Sequence, residues 1–371
     1  MTWGAVCCSI IFLCFDSVID MTVSKRCDMS KKGKGKASWK RKLLICLCVI
    51  LALIFVALVG LCIVAESLLG GLGTLDGTEN TYSPEQMESI LEQSEAETDP
   101  VVEQQDSIFK GKNVINILLV GQDRREGQPR QRSDAMILCT INKEKKTFTM
   151  TSFMRDMWVY IPDHYNQRIN VPYMLGGFDL LNETLEYNFG VSADYNVEVD
   201  FNGFMKAIDI VGGVDIELTA AEARYLNRRG NWEVEENTNW RLTEGVNCLT
   251  GSQALAFSRI RDIGDDFGRT NRQRMVLTAL LEKAKSLSLD KIQSLAKEVI
   301  PLISTDMTNG EILNIAADMM FMIGDLQIVS QRIPMDDTYS FANKNGASVI
   351  VLSPKNLEAN KALLAEAMDE D

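Results

Sequence analysis

The sequence predicts an α/β (mixed α+β) domain, preceded by one transmembrane helix. Its central sheet is expected to be mixed but largely antiparallel, with helices on both faces. Three observations support this prediction. An unbroken apolar run covers residues 43–65, three apolar segments of strand length follow between residues 113 and 153, and strand-like and helix-like segments alternate after them. The alternation lacks the strict rhythm of repeated βαβ units, which favours a mixed sheet.

The apolar run at residues 43–65 predicts a membrane anchor. Its 23 residues are enough for a helix to cross a bilayer. Residues 1–42 carry nine Lys or Arg against three Asp, so the positive-inside rule places this basic N-terminus in the cytoplasm. We therefore expect a single-pass protein of the cell membrane with the remaining chain extracellular. Met29 would give an ordinary basic start for an anchored protein, and we expect translation to begin there.

The chain beyond the anchor divides into three predicted parts. Residues 66–109 carry eleven acidic residues and no basic one, which predicts an acidic, flexible stalk. Residues 110–360 are expected to form the globular domain, and residues 361–371 a C-terminal tail. The globular part is also acidic, which argues against the broad basic surface that binds nucleic acid.

Cysteine and histidine usage narrows the kinds of site to be expected. Seven of the nine cysteines lie at or before Cys62, so no disulfide framework is expected, although Cys139 and Cys248 remain as a conceivable pair. The single histidine, His164, excludes a multi-histidine zinc site. It stands in a polar loop, where we expect it to be solvated.

Hydrophobic periodicity predicts the elements of the domain in order. Strands are predicted at residues 113–121, 135–141, 147–153, 195–201, 214–218, 327–333 and 348–352, and helices at residues 178–189, 204–211, 269–287, 289–303 and 309–322. Thr250 and Gln253 have the spacing of a capping box, which predicts a short helix through Phe257. Residues 219–245 are expected to hold a helix and an exposed loop, a lid being the alternative to a plain surface loop.

Charged residues converge at one predicted edge of the sheet. If the first three strands are successive antiparallel neighbours, the end of the first, the start of the second and the end of the third meet there. This geometry brings together Asp123, Arg132, Asp134, Arg155 and Asp156. They can form plain ion pairs, or the carboxylates can bind Mg²⁺, which usually takes one or two protein carboxylates and completes its shell with water and phosphate.

Residues 258–274 contain five arginines and no lysine. Arginine offers a planar fork of donors that matches a phosphate edge, so this choice suggests a bound anion. Arg259 and Arg261 follow the short helix, and Arg269 and Arg272 lie on the stripe that continues into the apolar residues of the next helix. Arg274 falls off that stripe and is expected to face solvent. The alternative is a salt-bridged surface, because aspartates are interleaved with the arginines.

At these residues the sequence resembles the LytR-CpsA-Psr family of cell-wall glycopolymer transferases, from about residue 113 to about residue 287 and more weakly to about residue 357. The resemblance rests on short blocks that occur in one order. They are N-I-L-L-V-G-Q-D-R from Asn116, R-S-D-A-M from Arg132, M-R-D-M-W-V-Y-I-P from Met154, R-I-N-V-P-Y from Arg168, V-D-F-N-G-F from Val199, V-G-G-V-D from Val211, L-T-G-S-Q-A-L-A-F-S-R-I-R from Leu249 and D-F-G-R-T-N-R-Q from Asp266. Arg125, Met154 and Asn271 depart from the family's pattern without removing a metal or phosphate ligand.

The resemblance implies an extracellular enzyme that moves a phospho-glycan from a polyprenyl-pyrophosphate-linked donor to a hydroxyl of peptidoglycan. It also implies that Asp123 and Asp134 hold Mg²⁺, with Mn²⁺ as the alternative, and that the lipid tail lies in an apolar cavity between sheet and helices. The pyrophosphate-binding set would be Arg132, Arg155, Arg259, Arg261, Arg269, Arg272 and Gln273. The catalytic set would be Arg132, Arg155, Asp156, Arg259, Arg261 and Asp266.

The residue chemistry is compatible with phosphoryl transfer, which needs mainly positioning and charge neutralisation. Because the chain has one histidine, a carboxylate is the expected base, and Asp156, Asp265 and Asp266 are the candidates. Two other functions stay open at this point. One is a hydrolase that cleaves lipid pyrophosphate with water, and the other is a non-catalytic lipid-binding or regulatory envelope protein. The donor polymer stays open as well, whether teichoic acid, capsule or another.

Overall fold

The structure of the chain is a computed structural model. It describes residues 103–122, 130–228, 240–261, 263, 266–287, 298–299, 302–344 and 346–369, together with the backbone of residues 73–74. The predicted cytoplasmic segment 1–42, its start at Met29 and the predicted span 43–65 lie outside these residues and stay predictions. Among the helices that the structure describes, none combines the length and the apolar character needed to cross a bilayer.

The elements are numbered here in chain order. The strands are β1 (Gly73–Thr74), β2 (Val114–Gln122), β3 (Ser133–Asn142), β4 (Thr147–Phe153), β5 (Trp158–Tyr160), β6 (Asn166–Arg168), β7 (Tyr195–Val199), β8 (Val214–Leu218), β9 (Gly245–Leu249), β10 (Ile303–Thr305), β11 (Gln327–Ile333), β12 (Ser340–Lys344) and β13 (Ala347–Val351). The helices are α1 (Val171–Phe189), α2 (Phe201–Ile210), α3 (Ala220–Leu226), α4 (Gly251–Ser258), α5 (Asp266–Ala284), α6 (Asn309–Met322) and α7 (Pro354–Met368).

The central sheet has the strand order β1-β10-β7-β2-β3-β4-β11. It is mixed as predicted, and the antiparallel pairs β2–β3 and β3–β4 confirm the predicted order of the first three strands. The expectation of a largely antiparallel sheet is wrong for the described strands. The pairs β1–β10, β2–β7 and β4–β11 are parallel and equal the antiparallel pairs in number. Parallel neighbours need a crossover connection, and helices α1 and α6 precede β7 and β11 in that role.

Helices cover both faces of the sheet, as predicted, because successive side chains of a strand point to opposite faces. On one face Leu118 belongs to a buried cluster that includes Leu185 of α1 and Leu364 of α7. On the other face Ile137 belongs to a cluster against which Leu281 of α5 packs. Apolar residues of α6 extend this second layer over the far end of β3.

The predicted C-terminal tail is wrong over residues 361–368, because helix α7 continues through them. Leu364 and Met368 are buried in the main core, so these residues belong to the domain. The apolar stripe of α7 is interrupted by Asn360, which is fully buried and donates to the carbonyl of Asn356 at 2.7 Å. Because Asn360 interrupts the apolar spacing, hydrophobic periodicity does not predict this helix.

Part of the predicted stalk is likewise bound to the domain. Gly73 and Thr74 form the edge strand β1 and pair with β10. The backbone N–H of Ile108 donates to the carbonyl of Gly190 at 2.7 Å, and the Ile108 side chain packs against the main core. The composition of residues 66–109 predicted a stalk because it is acidic on average, and an average does not reveal that a single apolar residue such as Ile108 can pack on the domain.

Helix α1 begins at Val171, before its predicted start at residue 178. Gly177 interrupts it with φ of 66° and ψ of −148°, a region that L side chains with a Cβ atom rarely adopt. A Cβ atom here would lie 2.8 Å from Nη1 of Arg130. Glycine therefore allows the helix to pass close to a buried guanidinium.

The other predicted elements are present to within a few residues where the structure describes them. The predicted helix at residues 289–303 lies mostly outside the described residues; residues 298–299 are helical, and the predicted end at residue 303 is the first residue of strand β10. The sequence pattern does not predict β5, β6, β9 and β12. These short strands each pair with a single partner in two-stranded sheets outside the central one.

Candidate active site

Carboxylates and guanidiniums alternate in a row of contacts where β3 begins and β4 ends. Antiparallel pairing brings the start of β3 beside the residues that follow β4. Nη1 of Arg155 donates to Oδ1 of Asp134 at 3.1 Å, and Nε of Arg155 lies 3.6 Å from Oδ2 of Asp156. Nη1 of Arg168 donates to the other oxygen of Asp156 at 3.4 Å. The structure thus confirms that Asp134, Arg155 and Asp156 converge, and it adds Arg168.

The predicted edge group has two further members. Arg132 is exposed and immediately precedes β3. Asp123 lies outside the described residues, so its part in a metal site stays a prediction. Sequence reasoning missed Arg130, which is buried with its guanidinium carbon 5.5 Å from the centre of the Tyr173 ring. Arg168 opens the R-I-N-V-P-Y block, and that block was the signal that it belongs to the site.

Arg259 and Arg261, the first two arginines of residues 258–274, follow the end of helix α4. Its predicted capping box is present, because Thr250 accepts from the backbone N–H of Gln253 while the Gln253 side chain accepts from the backbone N–H of Thr250. The helix ends at Ser258, and Arg259 follows with its guanidinium carbon 4.8 Å from the centre of the Phe201 ring. Arg261 is exposed two residues later.

Arg272 is buried and its guanidinium is bound by protein acceptors. Its Nε donates to Oε1 of Glu222 at 2.7 Å, and its Nη1 and Nη2 donate to the carbonyls of Ile260 and Ile263 at 3.3 and 2.7 Å. Burial opposes ionisation of Glu222, but the hydrogen bonds from Arg272 and Thr219 outweigh it and lower the pKa of this carboxyl. Arg272 therefore holds the segment that carries Arg261.

Sequence reasoning missed Glu222, although a local signal existed. Thr219 and Glu222 form a second capping box at the start of α3, with both reciprocal hydrogen bonds present. The pattern of a hydroxyl three residues before a glutamate identifies such a carboxylate as fixed at a helix start. It does not show which guanidinium from a distant part of the chain comes to meet it.

Arg274 does not face solvent, which corrects the prediction. It is 6 % exposed, and its Nε donates to Oγ of Ser330 in β11 at 3.0 Å while its Nη2 donates to Oδ1 of Asn271 at 3.2 Å. Burial, with a contribution from the nearby charge of Arg332, lowers the pKa of Arg274 to about 10. Arg274 lies beside the helical stripe of α5, as predicted, but strand β11 covers that side of the helix and shields Arg274 from solvent.

Of the remaining predicted residues, Arg269 is 3 % exposed in the first turns of α5. Gln273 lines the cavity described next. Asp266 starts α5, but its side chain lies outside the described residues, as do Asp262 and Asp265.

A cavity of about 340 Å³ lies between the sheet and helices α2, α4 and α5. Its walls are mostly apolar, with Ile137 from the sheet, Ala207 from α2 and Leu281 from α5. Gln273 and Ala284 both line it and stand three turns apart on α5, so it extends about 16 Å along this helix. A narrow apolar space of this length suits a hydrocarbon chain better than a compact polar ligand.

Chain neighbours of both charged groups line this cavity. Ala135 and Ser258 are in its wall, and they are the chain neighbours of Asp134 and Arg259. Phe201, beneath the Arg259 guanidinium, lines it as well. The wall of one apolar cavity therefore includes the chain neighbours of a carboxylate and of a guanidinium that come from two separate parts of the chain.

The described residues contain no group of three or more His, Cys, Asp or Glu side chains arranged to hold a metal. Asp134 is the described member of the predicted pair, and its side chain is 33 % exposed. A single accessible carboxylate fits Mg²⁺, which often relies on one or two protein oxygens together with water and phosphate. His164 is exposed in a loop, and Cys139, whose pKa burial raises to about 12, is a core thiol. Cys139 and Cys248 are not bridged.

Comparison with known proteins agrees with this architecture. The model of the LytR_cpsA_psr family matches residues 78–366. The regulatory protein MsrR of Staphylococcus aureus (strain COL) is 28% identical over 276 residues, which cover 74% of this chain and 80% of that protein. The polyisoprenyl-teichoic acid–peptidoglycan teichoic acid transferase TagT of Bacillus subtilis (strain 168) is 33% identical over 184 residues, or 48% of this chain and 55% of the relative. A solved structure of TagT with bound octaprenyl pyrophosphate lipid superposes with a TM-score of 0.53 at 25% identity, covering 74% of this chain and 98% of that one.

Proposed function

This chain belongs to the LytR-CpsA-Psr family, and from that premise we propose that it is a Mg²⁺-dependent phosphotransferase. Its donor is a glycan linked to a polyprenyl pyrophosphate, and its acceptor is a hydroxyl of peptidoglycan. The donated polymer is a teichoic acid, a capsule or a related glycopolymer. The enzyme is anchored in the cell membrane by residues 43–65 and acts outside the cell.

One observation carries this proposal. The wall of the apolar cavity of about 340 Å³ includes Ala135 and Ser258, the chain neighbours of Asp134 and Arg259, and Arg155 is paired with Asp134. A polyprenyl pyrophosphate has the same division of chemistry, with a long hydrocarbon chain and a highly charged head. The related TagT structure contains an octaprenyl pyrophosphate lipid, which supports this choice of ligand class.

The arginines have two roles in the proposed reaction. Arg132, Arg155, Arg259, Arg261 and Arg269 neutralise the pyrophosphate charge, since guanidiniums bind phosphate oxygens through paired donors. Arg272 acts indirectly, because Glu222 and two backbone carbonyls occupy its donors. It supports the segment from which Arg261 reaches the phosphates. Gln273 contributes an amide group to the cavity wall.

In the proposed step the acceptor hydroxyl oxygen forms a bond to the phosphorus that carries the glycan. The bond from this phosphorus to the bridging oxygen breaks, and polyprenyl phosphate leaves with the electron pair. The acceptor proton passes to a carboxylate. Asp156 is the candidate base whose side chain is described, oriented by Arg155 and Arg168 at 3.6 and 3.4 Å, and Asp266 is the other member of the catalytic set.

Asp134, together with Asp123, would hold the metal. Mg²⁺ prefers oxygen ligands, and Mn²⁺ accepts the same ligand type. When bound, the metal adds positive charge beside the phosphates. Asp134 also accepts a hydrogen bond from Arg155, which orients its carboxylate.

Product analysis of the full chain in detergent tests the proposal. The assay contains a polyprenyl-pyrophosphate-linked glycan, purified peptidoglycan and Mg²⁺, and mass spectrometry follows glycan-modified peptidoglycan and released polyprenyl phosphate. We expect both products from the wild type and neither from a variant that combines Arg261→Ala with Asp134→Ala. Arg224→Ala, on the exposed face of α3, is the matched control and should leave transfer intact. Transfer retained by the double variant would refute the assigned site.

The MsrR relative, named a regulatory protein, favours a second candidate function. In that case the chain binds the lipid pyrophosphate without turning it over. Tight donor binding with no released polyprenyl phosphate would support this function. The same assay identifies a hydrolase, because free phospho-glycan would then accumulate without any modified peptidoglycan.

A further inference from the structure

Three aromatic rings from separate segments form one cluster on the surface, called here the aromatic platform. Phe267 of α5 and Tyr339 are stacked with ring centres 4.7 Å apart and an angle of 26° between their planes. Phe341 of β12 meets both rings edge-on, at 5.6 Å from Tyr339 and 6.4 Å from Phe267. Such edge and stacked contacts are the favoured geometries of aromatic pairs.

The platform combines a fixed base with an exposed ring. The guanidinium carbon of Arg332 lies 4.4 Å from the centre of the Phe267 ring, and since Tyr339 stacks on the same ring, the two occupy opposite faces. Phe267 and Tyr339 also pack against the main core. Phe341, in contrast, is 63 % exposed. Phe341 thus presents its exposed ring as part of a contiguous aromatic cluster, and contiguous exposed apolar surface is typical of interaction sites.

The platform adjoins the proposed reaction site through two backbone connections. Phe341 pairs in register with Ile350 of β13, and the backbone N–H of Ile350 donates to the carbonyl of Asp156 at 2.9 Å. Phe267 precedes Arg269 by two residues on α5. The described residues that line the apolar cavity do not include any of the three rings. The apolar cavity and the platform are therefore separate features of the domain.

We propose that the aromatic platform binds the sugar rings of the acceptor glycan strand and thereby brings its hydroxyl to the phosphates. This inference rests on the proposed transferase function and names an acceptor subsite for it. Pyranose rings present flat faces of C–H groups that pack on aromatic rings, while their hydroxyls stay in water. In the proposed function the donor lipid binds in the cavity, so the acceptor glycan strand is the substrate that still requires a binding surface.

The decisive variant is Phe341→Ala, compared with Phe321→Ala. Phe321 is 90 % exposed on α6 and serves as the matched control for removal of a surface phenylalanine. Binding of soluble, uncross-linked peptidoglycan strands to the full chain in detergent is measured by titration calorimetry. Losing one aromatic contact should weaken this binding about five- to tenfold, and Phe341→Trp should restore it. Phe321→Ala should bind like the wild type.

Kinetics of transfer separate the two substrates. Phe341→Ala should raise the KM for the acceptor and leave the KM for the lipid-linked donor unchanged. Unchanged acceptor binding would overturn the inference, and so would a selective loss of affinity for the donor glycan, which would place the donor's sugars on the platform. If the wild type transfers nothing, the proposed function fails, whereas the binding comparison still decides whether the platform takes the glycan strand.

Discussion

Nε of Arg272 in α5 donates a 2.7 Å hydrogen bond to Oε1 of Glu222 in α3, and both side chains are almost completely buried. The pair joins two helices, while the other two nitrogens of Arg272 hold carbonyls on either side of Arg261. A buried contact between two helices thus fixes the segment that carries the exposed Arg261. Sequence reasoning had grouped Arg272 with the phosphate ligands themselves.

We predict that Glu222→Gln destabilises the chain by about 3 kcal/mol, because it leaves the Arg272 charge buried without a counter-charge. The amide oxygen of glutamine can still serve the capping box, so the loss reports on the ion pair. Urea unfolding measures it. Transfer activity should also fall, since the segment around Arg261 loses its support. A stability equal to that of the wild type would contradict the role assigned to this pair.

The same pair should make stability depend on pH at the acidic end. The folded chain lowers the pKa of Glu222, so its contribution is fully present above the ordinary carboxyl pKa of about 4.3 and is lost as pH falls through the lowered value. Unfolding free energies of the wild type and Glu222→Gln should therefore differ by a constant amount down to about pH 4.3, and the difference should shrink steadily as pH falls further. A difference that stays constant below that pH would contradict the prediction.

Removal of divalent metal should stop transfer. We expect EDTA to abolish it and Mg²⁺ to restore it, with Asp134→Asn requiring about tenfold more Mg²⁺ for half-maximal rate because a neutral amide is a poorer ligand. Asp318→Asn, at a partly exposed ion pair with Lys143, is the control. If Asp134 served only to orient Arg155, its variant would lower the rate without changing the Mg²⁺ requirement.

Filling the far end of the cavity should discriminate between lipids by length. Ala284 lines the cavity at the last residue of α5, and Ala284→Phe should weaken binding of a long polyprenyl pyrophosphate about tenfold, since burial of several CH₂ groups is lost. A short-chain analogue should bind as before. Glu282→Phe, on the exposed side of the same turn, is the control. Equal weakening of both lipids would show that the tail lies elsewhere.

Sequence reasoning succeeded where local patterns determine the outcome. Strand β4 and the Thr250 capping box follow from residues that are close in the chain, and the convergence of Asp134 with Arg155 follows from antiparallel order. It failed where a distant element decides the environment. Strand β11 adds to β4 from far along the chain and covers Arg274, and Glu222 meets Arg272 only after α3 packs near α5. No periodicity in either segment encodes such partners.

Arg274 shows what that difference means for function. It is buried, and its two hydrogen-bond acceptors Ser330 and Asn271 are neutral. Burial and the charge of Arg332 outweigh the opposing charge of Asp336 and lower the pKa of Arg274 to about 10. A buried cation with neutral partners gains little over an apolar side chain of similar length. We therefore predict that Arg274→Met leaves the free energy of unfolding within about 1 kcal/mol of the wild type or raises it.

Transfer by Arg274→Met should be unchanged because the side chain contacts β11, while its neighbour Gln273 lines the cavity. Arg269→Met, one turn earlier, should lose transfer, and a comparable loss in a stably folded Arg274→Met would instead assign Arg274 to the substrate-binding arginines.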